Sequence, residues 1–161
     1  MTGLFILISN IIKMYALAQW ADIVHFQKCF HWVSIPALLA GYLAKKPLHY
    51  DWDDWEEEIY YLSNKRPQWP IVLFLRLLER WIPKLVDTVS VSSEYLKNLC
   101  FDLGICKDKI FKVPVGADLE KFNPSISGEG VRKKYGLSDP VVMYVGQLHS
   151  VQYVELFLEA A

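Results

Sequence analysis

The chain lacks the features that mark several protein classes. Its three cysteines, Cys29, Cys100 and Cys106, are an odd and widely spaced set. No pair has zinc-ligand spacing and no disulfide framework follows. A reducing cytoplasm is the simplest home for such a chain. Neither sign of charge is in excess: the formal net charge is −1. Nucleic-acid binding needs a basic face, and this balance offers no argument for one. There is no Gly-x-Ser-x-Gly turn, no internal repeat and no low-complexity segment. The apolar stretch Met1–Trp20 is interrupted by Asn10 and Lys13. It has no positive segment ahead of it and no small-residue cleavage site, which argues against a signal peptide and a membrane anchor.

What is present is enough apolar material for a core. The 161 residues are 53% hydrophobic and 22% charged, a composition that folds as one domain or a piece of two. Aromatic residues make up 14%, with six tryptophans. Part of them sit in Trp69–Trp81, which carries Arg76, Glu79 and Arg80 and is too short to span a bilayer. Its charges fall on one side, which fits a helix packed on a core; the same pattern also fits a helix lying on a membrane surface.

Read in order, apolar residues at helical spacing predict a helix over 4–19. A short strand follows at 23–26. Ser34 is placed to cap a helix that tolerates Pro36 in its first turn and runs to about Ala44. Lys45 and Lys46 suit the negative end of that helix and Pro47 stops it. A strand is expected at 48–50, a helix at about 70–85 and a strand at 88–91. Ser93 caps a helix over 94–103, with Gly104 as its stop. A strand at 110–113 comes next. After Pro124 the composition turns polar and flexible, followed by a short helix at 131–135, a buried-type strand at 141–145 and a helix from Val151 onward. Strand and helix alternate throughout, which predicts an α/β fold with a parallel, Rossmann-like sheet.

One stretch organises the rest: Ile110 to Pro124, Ile-Phe-Lys-Val-Pro-Val-Gly-Ala-Asp-Leu-Glu-Lys-Phe-Asn-Pro. Pro114 ends the strand. Gly116 permits a turn with positive φ. Asp118 can accept from nearby N–H groups, and Phe122 is a lone apolar anchor. By physics alone this is either an interdomain crossover or an ordinary loop. The segment resembles the interdomain signature of family 4 (group 1) glycosyltransferases, which usually reads Asn-Gly-Val-Asp, three residues, Phe, one residue, Pro. Val115 and Ala117 replace the common Asn and Val, and the spacing from Gly116 through Asp118 and Phe122 to Pro124 is kept. Val-Ser-Val-Ser-Ser-Glu-Tyr-Leu upstream and Met-Tyr-Val-Gly-Gln-Leu downstream are similar to that family in the same order.

The resemblance covers about Asp22 to Ala161. It implies a GT-B fold with two Rossmann-like domains: a partial acceptor-side domain over 1–124, and the start of a nucleotide-sugar-binding domain over 125–161. Family members begin with a strand and a Gly-rich loop, and none precedes residue 20. The expectation is therefore an internal piece of a larger enzyme. The implied activity is sugar transfer from a nucleotide-sugar to an acceptor, with no cofactor and no metal. The Trp-rich segment 69–81 would fit a lipid-linked acceptor and peripheral contact with the inner face of a membrane. Alternatives are a non-catalytic fragment or subunit whose missing half is a separate chain, and a different doubly wound protein such as an epimerase or response regulator.

Candidate site residues fall into three groups. Asp51-Trp-Asp-Asp-Trp-Glu-Glu-Glu58 places six carboxylates in eight residues after a strand. Ligands bind at that end of a parallel sheet, and crowding raises carboxylate pKa values toward those of a general base. This segment is a catalytic or acceptor loop, a divalent-cation site, or a solvated acidic loop. The family places its base just after the corresponding strand, which points to Asp53 with Asp51 and Asp54 as neighbours. Trp52 and Trp55 offer flat faces for a sugar. Lys28 follows a strand and is suited to a phosphate as a point charge. Ser93 follows the next strand, and with Gly116 and Asp118 completes the expected cleft. The donor diphosphate would sit at Gly146-Gln147-Leu148, on the N-terminus of the last helix. There the family has Arg and Lys, and this chain has Gln147 and Gln152, so two charge-assisted contacts are replaced by neutral ones.

Overall fold

Four short strands carry the fold, and their alternating sequences set which side faces the core. The computed structural model describes residues 3–64, 66–138, 140–146 and 151–160, with backbone alone for 151–153. Strands β1 (Val24–Gln27), β2 (Leu48–Trp52), β3 (Thr88–Val91) and β4 (Ile110–Lys112) form one parallel sheet in the order β1-β2-β3-β4. The molecule is an α/β protein with a Rossmann-like parallel sheet, as the alternation of strand and helix predicts. The chain divides into two units, Met1–Val115 and Gly116–Ala161, and the break falls inside the 110–124 stretch.

Register decides the two faces of the sheet. Phe26 lies opposite Tyr50, and Tyr50 opposite Val89. With Leu48, Trp52 and Val91 these residues are buried under α2 (His31–Ala44), α3 (Glu56–Ser63), α4 (Trp69–Trp81) and α5 (Glu94–Asp102). Large side chains buried in this way contribute roughly 1.5–3 kcal/mol each. The alternate residues of each strand face the other way. His25 lies opposite His49, Gln27 opposite Asp51, His49 opposite Thr88, and Asp51 opposite Ser90. An all-parallel sheet usually has two apolar faces; this one has an apolar face and a polar one.

Helix α1 (Gly3–Trp20) packs on α2. One bond between them has a local cause. Pro36 lies inside α2 and has no N–H for the carbonyl four residues back, which is that of Trp32. Asn10 Nδ2 of α1 donates to that carbonyl at 3.3 Å. The polar residue that interrupts the apolar run of α1 thus serves the proline of its neighbour.

Several boundaries differ from expectation. Helix α2 begins at His31, so Ser34 is an interior residue and not a cap; its buried hydroxyl donates to the carbonyls of Cys29 and Phe30. Strand β2 runs to Trp52, because Asp51 and Trp52 pair with β3 in register. Residues 56–63 form a helix where the sequence suggested only an acidic loop. Gly104 has φ 78° and ends α5 as expected. Gly116 is not among the positive-φ glycines of the described residues; it is exposed, and an added Cβ there meets nothing within 4 Å.

In the second unit, α6 (Glu129–Tyr135) ends at Gly136, whose φ is 63°. Helix α7 spans Val151–Ala160. The apolar run at 141–145 was expected as a strand, and it is not one. A strand exists only by pairing, and no described strand pairs with it. Val145 is left 82% exposed.

Candidate functional site

The C-terminal edge of the sheet gathers the polar residues of the first unit. Lys28 follows β1 with φ 73°, a left-handed conformation that side chains other than glycine rarely adopt. Its ammonium explains how the conformation is held. Nζ lies 3.2 Å from Asp53 Oδ2 and 2.9 Å from Glu56 Oε1, and it bonds Asp54 Oδ2. Partial burial lowers the Lys28 pKa, and bonds to Asp54, Glu56 and Asp53 more than offset it, so the group is held charged. Gln27 Nε2 donates to Asp53 Oδ2 at 2.7 Å, and Ser92 Oγ donates to the Asp53 carbonyl at 2.6 Å. Residues from the ends of three strands therefore meet at Asp53. The acidic segment is not a run of bare, mutually repelling carboxylates: one cation and one amide hold its centre.

A second polar line runs from this edge along the open face of the sheet. Ser90 Oγ donates to Asp51 Oδ1 at 2.5 Å. His49 Nε2 lies 3.0 Å from Ser90 Oγ, and His49 Nδ1 lies 2.8 Å from Thr88 Oγ1. Ser90 has one hydroxyl proton and gives it to Asp51, so Nε2 must be the donor to Ser90. Neutral His49 then accepts from Thr88 at Nδ1. Burial lowers the His49 pKa, the neighbouring His25 lowers it further, and Asp51 acts in the opposite direction. The His25 and His49 rings meet edge to face at 5.1 Å. Gln27 joins the two lines: its Cα is opposite Asp51 while its amide holds Asp53.

Beneath the acidic segment sits a buried carboxylate. Glu79, on α4, is 2% exposed, and its oxygens accept from the backbone nitrogens of Glu56 at 2.7 Å and Glu57 at 3.1 Å. Helix α3 has Trp55 at its N-cap position, which offers no side-chain acceptor. Glu79 supplies the missing cap from another helix. Burial pushes its pKa up to about 7, against the pull of the two N–H groups. Arg76 closes the arrangement, with Nη2 and Nε each 2.6 Å from Glu57 Oε1.

Trp52 is 1% exposed and lies on the core side of β2, so its face is not open to a sugar. Its side chain lines a small cavity shared with Trp55, Glu79 and Leu99, where its indole N–H acts on the Glu79 carboxylate and pulls the Glu79 pKa down against burial. Trp55 packs against Tyr95 with the rings tilted by 31° and their centroids 5.3 Å apart, and Tyr95 is 56% exposed. Ser93 is the N-cap of α5, accepting from Leu96 N at 3.2 Å. Asp118 accepts from the nitrogens of Glu120 and Lys121 and pairs with Lys121 Nζ at 2.9 Å, which is the turn expected of it. Lys121 holds its carboxyl below the usual range. Asp118, Gly116 and Gly146 belong to the second unit. Gln147 lies outside the described residues, and of Gln152 only the helical backbone is described.

Among the described residues no group of three or more His, Cys, Asp or Glu is arranged to hold a metal ion. Lys28 occupies the space between the carboxylates, so a divalent cation would have to displace it. Glu79, His49 and Ser90 stand in no local motif of the sequence. The alternation in Leu48-His-Tyr-Asp-Trp52 and Thr88-Val-Ser-Val91 places His49 with Asp51 and Thr88 with Ser90, and only the register brings the two pairs together.

No protein-family model matches this chain, and none of the curated proteins matches it significantly.

Proposed function

We propose that the first unit is the acceptor-side domain of a family 4 type glycosyltransferase, and that its polar edge handles a sugar. One observation carries this reading: Lys28, Gln27, Asp53 and Ser92 converge from the C-terminal ends of three parallel strands. That edge is where open α/β sheets bind ligands. Carboxylates that accept hydroxyl protons, an amide and an ammonium that donate, and an exposed aromatic ring at Tyr95 together match a polyhydroxylated ligand better than an anion. A phosphate would meet Lys28 already surrounded by three carboxylates. In the proposed reaction an acceptor hydroxyl held near Asp53 bonds to the anomeric carbon of a nucleotide-sugar, the bond from that carbon to the diphosphate oxygen breaks, the nucleoside diphosphate leaves, and Asp53 takes the hydroxyl proton. Asp53 Oδ2 is held by Gln27 and Lys28, which leaves Oδ1 for that hydroxyl.

Saturation-transfer NMR with methyl glycosides and short oligosaccharides tests the acceptor side. Ring-proton contacts that vanish in Asp53→Asn and Tyr95→Ala, with helix content unchanged, support the reading. No contact from any glycoside removes it. Sugar transfer by the purified 161-residue chain alone is not expected, since Gln147 and Gln152 stand where the resembled family has the Arg and Lys that pair with a diphosphate. The exposed run at 141–145 favours a second reading, a subunit that pairs with a separate chain. Such a chain would supply strands to the second unit, and co-expression would restore turnover.

A further inference from the structure

Three donors converge on Glu79. The backbone nitrogens of Glu56 and Glu57 reach its two oxygens, and the indole N–H of Trp52 acts on the same carboxylate. A carboxylate can accept all three. A carboxylic acid cannot serve them equally, because one oxygen then carries a proton of its own and faces donors. Bonds to the charged form are also about twice as strong as neutral ones, and a negative charge suits the N-terminus of α3. The ionised group therefore grips the first turn of α3, and the protonated group releases part of it.

That turn belongs to the Asp53 site. Glu56 is held at both ends: its N–H by Glu79, and its carboxylate by Lys28, with Oε1 2.9 Å from Nζ. The same ammonium lies 3.2 Å from Asp53 Oδ2. Lys28 sits in left-handed backbone with φ 73°, so its position depends on those partners. Glu79, Glu56, Lys28 and Asp53 thus form one line of contacts from the core to the sheet edge. Titratable groups face Glu79 from several elements: Glu56 and Glu57 on α3, Arg80 on its own helix, Tyr50 on β2 and Cys29 after β1. Helix α5 contributes the apolar Leu99 and Leu103. Arg76 is engaged by Glu57, and burial raises the pKa values of Cys29 and Tyr50, so neither becomes an anion before Glu79 does.

We propose that Glu79 is a positioning residue for Asp53: as a carboxylate it fixes Glu56, Glu56 fixes Lys28, and Lys28 sets the orientation of Asp53. Burial and the three donors act on its ionisation in opposite directions and leave the change of state near pH 7. The site is therefore firmest above neutrality and loosens below it. Ionisation lowers the stability of the whole fold through burial, while it tightens this one turn. What Asp53 does toward a sugar rests on the function proposed above; the coupling from Glu79 to Lys28 does not.

NMR titration of the full chain without sugar tests the coupling. From about pH 5.5 to 8.5 the amide protons of Glu56 and Glu57 should move with one midpoint near pH 7. The Lys28 Cε resonance should move with the same midpoint, although its ammonium stays charged throughout. Glu79→Gln should abolish both inflections. Glu56→Gln should keep the inflection at the Glu57 amide and abolish the one at Lys28. If Glu79→Gln does not fold, the native titration and Glu56→Gln still decide. A Lys28 resonance that stays flat while the two amides titrate would overturn the proposal, because Glu79 would then be a cap alone. A Lys28 inflection that survives Glu56→Gln would overturn it too, as would amides with no midpoint in this range. Glycoside contacts at Asp53 that are equally strong above and below the midpoint would overturn the positioning role. Glycoside contacts missing at every pH remove the sugar reading and leave the coupling in place.

Discussion

Glu79, in the last turn of α4, accepts from the backbone nitrogen of Glu56, the first residue of α3, at 2.7 Å. A helix whose own N-cap position holds tryptophan is thus capped by a carboxylate that lies 23 positions away in sequence. The relationship ties α3 to α4 and fixes the floor of the acidic segment.

That carboxylate should give stability a distinct pH dependence. Native Glu79 keeps its proton up to about pH 7, whereas an unfolded glutamate keeps it only to about 4.5. Between these values the native state binds more protons than the unfolded state. The Glu79 contribution therefore falls as pH rises through the window, by at most about 1.4 kcal/mol per pH unit, and is flat above it. Urea midpoints of the native chain and of Glu79→Gln, measured from pH 4.5 to 7.5, should differ in slope, with the variant flatter. Parallel profiles would mean that Glu79 is ionised throughout.

Lys28 allows backbone strain to be separated from its ion pairs. Lys28→Ala and Lys28→Gly both remove the ammonium from Asp53, Asp54 and Glu56. They differ in the left-handed backbone, where φ is 73°. The glycine variant should be the more stable of the two by about 1 kcal/mol. Equal denaturation midpoints would show that the turn relaxes once the ion pairs are gone.

Gly41 is required by packing. A Cβ at this position of α2 would sit 2.5 Å from Leu48 Cδ2, and Leu48 is buried in β2. Alanine normally favours a helix. Here Gly41→Ala should cost about 1–3 kcal/mol through overpacking. Thermal melting checks the sign, and a stabilised variant would refute the clash.

Asn10 and Pro36 should be energetically coupled. Asn10→Ala removes the donor to the Trp32 carbonyl and should cost about 0.5–1 kcal/mol. In a Pro36→Ala background the restored N–H can take that carbonyl, and Asn10→Ala should then cost less. A double-mutant cycle on unfolding free energies gives the coupling; a value of zero would mean that water serves the carbonyl equally well.

The sequence by itself determined the alternation of strand and helix, and with it the parallel sheet. It also placed several punctuation marks. Ser93 caps a helix, and Gly104 and Gly136 end helices with positive φ. These are local effects, written in one to four adjacent residues. Asp118 and its turn are of the same kind.

Tertiary structure decided the rest, because the deciding partners lie far apart in the chain. Strand β2 reaches Trp52 only because β3 pairs with it, and that pairing moves Trp52 from a loop into the core. The run at 141–145 has strand composition and, among the described residues, no strand partner, so it is not a strand. Helix α3 forms where a row of acids suggested a loop, because Glu79 caps it from α4. Lys28 and Asp53 are 25 residues apart, and only the adjacency of β1 and β2 brings the cation among the acids. Local pattern fixes what each segment prefers. Register and burial fix which side chains meet, and the candidate site is made of such meetings.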